Sequence, residues 1–117
     1  QMEYRGESLE LNGLLKEAST VEEILKIVKE KGDSFSSINV STAVNTLSKV
    51  AKQSGKDERA RMLVGERLGA DDRFSQLMLA VGRLCPRFKA QACANVIHGL
   101  AVLHADLGVA VDAKLAA

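Results

Sequence analysis

Apolar residues recur along most of the chain at intervals of three and four positions, which is the period of amphipathic α-helices. No segment alternates apolar and polar residues over a strand's length with β-branched or aromatic enrichment, so no strands are predicted. The helices are predicted over residues 8–18, 21–31, about 40–54, 57–68, 72–84 and 90–105, with a further helix beginning in residues 109–115. The pattern therefore predicts an all-α protein.

Capping residues and glycines mark the ends of these helices. Ser19 or Thr20 begins the second helix as part of a capping box with Glu22 or Glu23, and Ser37 or Asn39 begins the third. Asp71 or Asp72 begins the fifth. Helix ends are predicted at Gly32, Gly55, Gly69, Pro86 and Gly108. Residues 1–6 are polar and are predicted to be frayed. The apolar faces are expected to include Leu9, Leu14, Met62, Leu63 and Ile97.

The predicted helices are arranged in an internal repeat of two segments. Residues 21–55 align without a gap on residues 74–108, at a constant offset of 53 positions, and Phe35 and Gly55 fall on Phe88 and Gly108. A helix–turn–helix unit of this kind cannot bury its apolar face alone, so units stack. We therefore predict an α-solenoid of about five to seven short antiparallel helices.

The repeat also bears on domain organisation. Residues 1–117 are expected to form a single helical-repeat domain, with repeat units at about 21–55 and 74–108. Two units leave apolar ends, so the domain is expected either to belong to a longer array or to have partners that cover its ends. Because any two amphipathic helices can be aligned, a plain helical bundle is the alternative.

Composition narrows the class of protein. The chain is 46% apolar and 26% charged, which argues against disorder, while 3% aromatic residues and one proline favour helices. Two cysteines are too few for a disulfide scaffold. No apolar run approaches the ~18–20 residues of a transmembrane helix, so no membrane insertion is expected.

Charge is distributed unevenly. Residues 1–46 carry 5 basic and 8 acidic side chains, whereas residues 47–93 carry 10 basic and 5 acidic ones. A solenoid could align such groups on one rim and neutralise a phosphate backbone. The candidate RNA-binding residues are Lys49, Lys52, Lys56, Arg59, Arg61, Arg83, Arg87 and Lys89. The alternative is a solvated face, since acidic residues interrupt the cluster. With few aromatic residues, base recognition is expected to use Asn, Gln and Arg.

No catalytic or metal-binding pattern is present in the sequence. His98 and His104 are six positions apart in one helix, and with Cys85 and Cys93 they make no familiar zinc spacing. No nucleophile motif or phosphate-binding glycine loop is found. The sequence predicts a protein that is not an enzyme, with no metal and no cofactor.

Two segments carry a family resemblance. The first unit contains EILKIV at residues 23–28 and NVSTAV at residues 39–44, and the second contains QACANVI at residues 91–97, with Asn95 where the motif carries its Asn. These resemble the helical repeats of organellar RAP-domain proteins, a group that includes octatricopeptide-repeat and FAST-kinase-like proteins. The chain has no Trp, and Gly99 stands where the family often has one.

The resemblance implies an organellar RNA-binding protein, in a mitochondrion or plastid, although no targeting segment is visible. Family members act in RNA processing, stability or translation, or belong to organellar ribosomes. The expected partner is therefore mRNA or rRNA, together with ribosomal or other organellar-complex proteins. The alternative function is a protein–protein scaffold, an accessory subunit of a large organellar complex without direct RNA recognition.

Overall fold

The computed structural model describes residues 2–110, with side chains from residue 6 onward. Regular structure in that part of the chain is helical, which confirms the all-α prediction. The α-helices are α1 (Met2–Glu17), α2 (Val21–Lys31), α3 (Ser37–Ser54), α4 (Glu58–Gly69), α5 (Asp72–Leu84) and α6 (Ala90–Leu107). Short 3₁₀ turns, Gly32–Ser34 and Cys85–Arg87, precede α3 and α6. The further helix predicted in residues 109–115 falls mostly in residues 111–117, outside the described residues.

Side-chain caps set the starts of α2 and α5 as the sequence predicts. The Thr20 hydroxyl accepts a hydrogen bond from the Glu23 backbone N–H at 3.1 Å, and Asp71 accepts one from the Arg73 N–H at 2.9 Å. Such bonds satisfy backbone donors that have no partner within a helix. Gly108, with φ of 70°, ends α6 in the left-handed conformation that glycine adopts without strain.

The cap of α3 is Ser36, so the prediction of Ser37 or Asn39 is wrong. The Ser36 hydroxyl accepts from the Asn39 N–H at 3.2 Å, and the Asn39 side-chain oxygen accepts from the Ser36 N–H at 3.0 Å. The two residues form a capping box in which an Asn replaces the usual Glu or Gln. Asn39 thus lies at the third helical position rather than at the cap.

Asn39 also joins α3 to α1. It is fully buried, and its side-chain NH₂ donates to the Ser8 carbonyl at 2.9 Å. The Ser8 and Ser36 hydroxyls are hydrogen-bonded at 2.8 Å. Ser8 lies inside α1, which begins at Met2, so the predicted start of this helix at residue 8 is wrong. Its hydroxyl bonds across to α3 instead of capping its own helix.

The core is built around α3, which contacts each of the other five helices and packs most extensively on α6. Gly99 of α6 lies against Val44 of α3, where an added Cβ would be 2.8 Å from Val44 Cγ1. The missing side chain lets the two helices approach closely. The largest fully buried side chains include Leu15, Ile24, Leu47, Phe74, Leu77, Met78, Leu103 and Leu107.

Five residues of the predicted apolar faces are exposed. Their exposed fractions are 69% for Leu9, 55% for Leu14, 51% for Met62, 47% for Leu63 and 68% for Ile97. Helical spacing identifies the apolar face of a helix, but burial requires a second element to cover that face. No described element covers these positions, so they lie outside the core.

The two repeat segments fold into the same order of elements. We call residues 21–55 unit 1 and residues 74–108 unit 2. At the 53-residue offset, the bounds of α3 coincide with those of α6, and the two 3₁₀ turns coincide. α2 packs on α5, and α3 packs on α6. Equivalent helices of the two units are therefore neighbours in space.

Candidate nucleic-acid interface

A groove of about 650 Å³ lies between α1, α3 and the beginning of α6. We call it the polar groove, because most of the residues that line it carry an amide, hydroxyl or ammonium group. Its lining residues are Asn12, Lys16, Ser37, Ile38, Ser41, Thr42, Asn45, Thr46, Lys49, Lys89, Gln91, Ala92 and Asn95. The volume is in the range of small-ligand sites.

Helical spacing places these groups on the groove. Residues four apart in a helix share a face, and each of the three helices contributes a polar pair with that spacing. The pairs are Asn12 and Lys16 on α1, Asn45 and Lys49 on α3, and Gln91 and Asn95 on α6. Lys89 precedes α6 and adds a third ammonium group. The arrangement alternates cationic and amide groups around one concavity.

The electrostatics of the polar groove are one-sided. Lys16, Lys49 and Lys89 are exposed, and none of the described residues that line the groove is acidic. Three ammonium groups that share a concavity repel one another and favour a bound anion. The polar groove is therefore suited to phosphate groups.

Amide groups give the polar groove hydrogen-bonding capacity beside this charge. Asn45, Gln91 and Asn95 each carry one carbonyl acceptor and two N–H donors. Among the described residues, none donates a hydrogen bond to the Oδ1 atom of Asn12, which is buried. An unpaired buried acceptor costs free energy until a donor reaches it. These amides can therefore pair with the edges of unstacked bases.

Two of the eight predicted RNA-binding residues, Lys49 and Lys89, meet in the polar groove. Lys52, one turn after Lys49, does not line the polar groove but forms a salt bridge. Its ammonium group pairs with the Asp106 carboxylate of α6 at 3.1 Å. That pair balances the Lys52 charge within the protein.

The three candidates around the α3–α4 turn do not line the polar groove. Lys56 and Arg59 are exposed there. Arg61 is half-buried, and its side chain packs so closely on Gly55 that an added Cβ would be 2.7 Å from Arg61 Cγ. The Nε atom of Arg61 is buried and has no hydrogen-bond partner among the described residues.

Arg83 and Arg87 lie near the end of α5 and are exposed. Arg83 lines an apolar groove between α5 and α6 that shares no residue with the polar groove. The predicted basic residues are therefore distributed over several surfaces, because neighbours in sequence point in different directions from short helices.

The sequence interpretation missed Lys16, Asn12 and Asn45. Lys16 belongs to the segment with an acidic balance, so a count of charge by segment gave it no weight. The available signal was the spacing, since an Asn is followed four positions later by a Lys in both α1 and α3. Spacing alone does not reveal that α1 and α3 face the same concavity.

Arg73, another residue of the positive central segment, also lies outside the polar groove. Its guanidinium donates to both Glu22 oxygens at 2.8 and 2.9 Å, and to Asp71 at 2.9 and 3.1 Å. Hydrogen bonds from Arg73 lower the pKa of Glu22 and the pKa of Asp71, and the same bonds raise the pKa of Arg73. Its charge is therefore satisfied within the protein.

Neither cysteine forms a disulfide: Cys85 is exposed and Cys93 half-buried. Across residues 2–110 no three His, Cys, Asp or Glu residues come together in a way that could hold a metal ion. Within that same range, each helix is too short or too polar to cross a bilayer.

Comparison of the chain with protein-family models, with curated proteins and with solved structures finds no match.

Proposed function

We propose that this chain is an RNA-binding helical-repeat protein that holds single-stranded RNA in the polar groove. The observation that carries the proposal is the convergence of Lys16, Lys49 and Lys89 around amide side chains, with no carboxylate among the described lining residues. The three lysines come from separate elements, so the cationic site depends on the fold rather than on one basic segment.

In the proposed complex, the lysines neutralise phosphates and the amides bind base edges. Lysine ammonium groups attract the RNA backbone irrespective of sequence. Asn12, Asn45, Gln91 and Asn95 supply donors and acceptors for the Watson–Crick edges of unstacked bases. No aromatic residue lines the groove in the part of the chain whose side chains the structure describes, so stacking is expected to contribute little to this site. We expect moderate affinity with steep salt dependence.

The proposed architecture is a short α-solenoid of two stacked units. The coincident bounds of α3 and α6 at the 53-residue offset support it, as does the packing of α2 on α5 and of α3 on α6. A solenoid places equivalent faces in a row, which suits a linear ligand. A mitochondrial or plastid setting rests on the resemblance to organellar RAP-domain proteins alone.

Fluorescence anisotropy of a labelled single-stranded RNA tests the proposal. Wild-type protein is expected to bind at low salt, and affinity should fall steeply as salt rises. Replacing Lys16, Lys49 and Lys89 with Ala should weaken binding and reduce the slope of log affinity against log salt by about 2, since each phosphate contact on a single strand contributes about 0.7.

The matched control replaces Lys26, Lys29 and Lys31 with Ala. These lysines of α2 are exposed and lie outside the polar groove, so the net charge changes by the same amount. We expect this variant to retain most of the salt slope. Equal losses in the two variants would show that the polar groove is not the RNA site.

A protein–protein scaffold is the second candidate function. The observation that favours it is the apolar groove between α5 and α6, where Leu79 and Ile97 are 66% and 68% exposed. Exposed apolar concavities of this kind mark protein contact sites. A folded, helical chain that fails to bind RNA at low salt would support this function instead.

A further inference from the structure

The apolar groove at the free side of unit 2 has a volume of about 600 Å³. We call it the α5–α6 groove. Its walls include Met78, Val81 and Phe88, and the exposed Leu79 and Ile97 stand at its rim. Exposing two large aliphatic side chains beside one concavity is unfavourable in water, and covering them would release free energy.

The residues of unit 1 that correspond to the α5–α6 groove can be compared with it at the 53-residue offset. At the 53-residue offset, Val81 corresponds to Val28, Cys85 to Gly32 and Ile97 to Val44. Val44 is fully buried, with Gly99 of unit 2 against it, whereas Ile97 is 68% exposed. Val28 and Val81 are both buried, so they do not distinguish the two units. The part of the α5–α6 groove around Cys85 and Ile97 therefore corresponds to the face of unit 1 on which unit 2 docks, whereas Leu79 and Arg83 correspond to Lys26 and Glu30, which line another surface.

The contacts at that internal interface are specific. The side-chain NH₂ of Gln76, on α5, donates to the Val28 carbonyl at 3.2 Å. An added Cβ on Gly32 would lie 2.9 Å from the same Gln76 nitrogen. The face of unit 2 that contains Gln76 and the buried Ala80 thus forms the docking side of the interface.

The equivalent docking face of unit 1 is also uncovered. Glu23 corresponds to Gln76, and Ile27 corresponds to Ala80. Both line a shallow depression between α1 and α2, together with the 55% exposed Leu14. We call this surface the outer face. It lies on the side of α2 that points away from α5, so within residues 6–110 one half of the unit–unit interface is unfilled at each end.

The two surfaces carry opposite charge. The lining of the outer face contains Glu17, Glu23 and Glu30 against a single Lys26. The α5–α6 groove contains Arg83 and, among the described residues, no carboxylate. Opposite charges at complementary surfaces speed association and disfavour pairing of like surfaces. Contact between two α5–α6 grooves would instead bring the Arg83 side chains together.

We propose that a second copy of this chain docks its outer face into the α5–α6 groove, in the orientation in which unit 2 packs on unit 1 but without the hydrogen bond that Gln76 donates, since the Glu23 carboxylate has no N–H. The contact is head to tail, so each added copy leaves one groove and one outer face free. Such heterologous contacts extend into rows unless the rotation between copies closes a ring. The inference is independent of RNA binding, since neither surface shares a residue with the polar groove.

Sedimentation velocity over a concentration series, up to about 1 mM, measures the association. The average mass of the wild-type chain is expected to rise past that of a dimer. Leu79→Glu with Ile97→Glu should raise the concentration needed for association by at least about tenfold, because both side chains lose their burial. Leu63→Glu is the matched control, since Leu63 is 47% exposed and lines neither surface. Circular dichroism confirms that each variant is folded.

Cross-linking tests the register of the contact. By analogy with Gln76 and Gly32, residue 23 of one copy should lie beside Cys85 of the next. A Glu23→Cys, Cys93→Ala chain treated with a short bifunctional maleimide should give a ladder of oligomers linked between positions 23 and 85. The Cys93→Ala chain alone should give none.

Three results would overturn the proposal. A wild-type chain that stays monomeric throughout the concentration series excludes self-association and leaves the α5–α6 groove to a different helical partner. Association that stops at a dimer, with Cys85 linked to Cys85, shows a symmetric contact. Association that Leu79→Glu with Ile97→Glu leaves unchanged places the contact elsewhere.

Discussion

Arg73 links the starts of two helices through its single side chain. Glu22 lies in the first turn of α2, and Asp71 is the cap of α5. The guanidinium holds both carboxylates in a planar, forked geometry that lysine cannot reproduce. The sequence shows a basic residue directly after two acidic ones, but the partner 51 positions away is a product of the fold.

The ion pairs of Arg73 should make the stability of the protein fall at acidic pH. Because the folded state lowers the pKa of Glu22 and of Asp71 from their ordinary values of 4.5 and 3.8, their contribution to stability is complete above those values. It is lost as the pH falls through the folded pKa values. Arg73→Met is expected to lower the urea midpoint at pH 7 and to make the difference between pH 7 and pH 3 smaller than in wild type.

Arg59→Met serves as the control for Arg73→Met, because Arg59 is an exposed arginine of α4 outside this ion-pair group. Its pH dependence should match that of the wild type. If Arg73→Met retained the full wild-type difference between pH 7 and pH 3, the acid sensitivity would have another source.

Helix packing at the scale of elements depends on glycines whose role is steric. Gly65 of α4 lies so close to the last turn of α6 that an added Cβ would overlap the Leu107 carbonyl oxygen. Glycine within a helix costs about 1 kcal/mol relative to alanine, so its presence in α4 has to be offset by packing. The close approach of α4 to α6 supplies that offset.

Gly65→Ala is therefore expected to destabilise the protein by about 2 kcal/mol, since α4 must move away from α6. Gly13→Ala is the control. Gly13 is exposed in α1 with no atom near an added Cβ, so that substitution should stabilise by up to about 1 kcal/mol. Urea denaturation measures both changes. Equal stabilisation by the two substitutions would contradict the contact between α4 and α6.

At the scale of the whole molecule, the two proposed activities, RNA binding and self-association, use different surfaces. The polar groove uses α1, α3 and the start of α6, whereas the α5–α6 groove and the outer face lie on other sides of the helices. Because the lining residues do not overlap, RNA binding and self-association are expected to be separable.

To check this, each variant is measured in the assay of the other activity. Replacement of Lys16, Lys49 and Lys89 with Ala should leave the sedimentation behaviour unchanged. Leu79→Glu with Ile97→Glu should leave the affinity for a short RNA unchanged in dilute protein, within about twofold. Loss of RNA binding in the second variant would show instead that RNA contacts more than one copy.

The sequence by itself determined the helices, their approximate ends and the 53-residue offset between units. Hydrophobic period, caps and terminal glycines act within a few residues of one another, so they can be interpreted locally. Thr20, Asp57 and Gly108 illustrate this, since each begins or ends a helix through bonds to residues at most five positions away. These local signals did not distinguish Ser36 from Ser37 as the cap of α3.

Only the tertiary structure decided which apolar faces are covered and which charges are free. Val44 and Ile97 occupy the same repeat position, yet one is buried and the other exposed, because a second unit packs on the first and no described element packs on the second. Lys52 is paired with Asp106, 54 positions away, while Lys49 remains in the polar groove. Burial and charge pairing depend on neighbours distant in sequence, which periodicity along the chain does not specify.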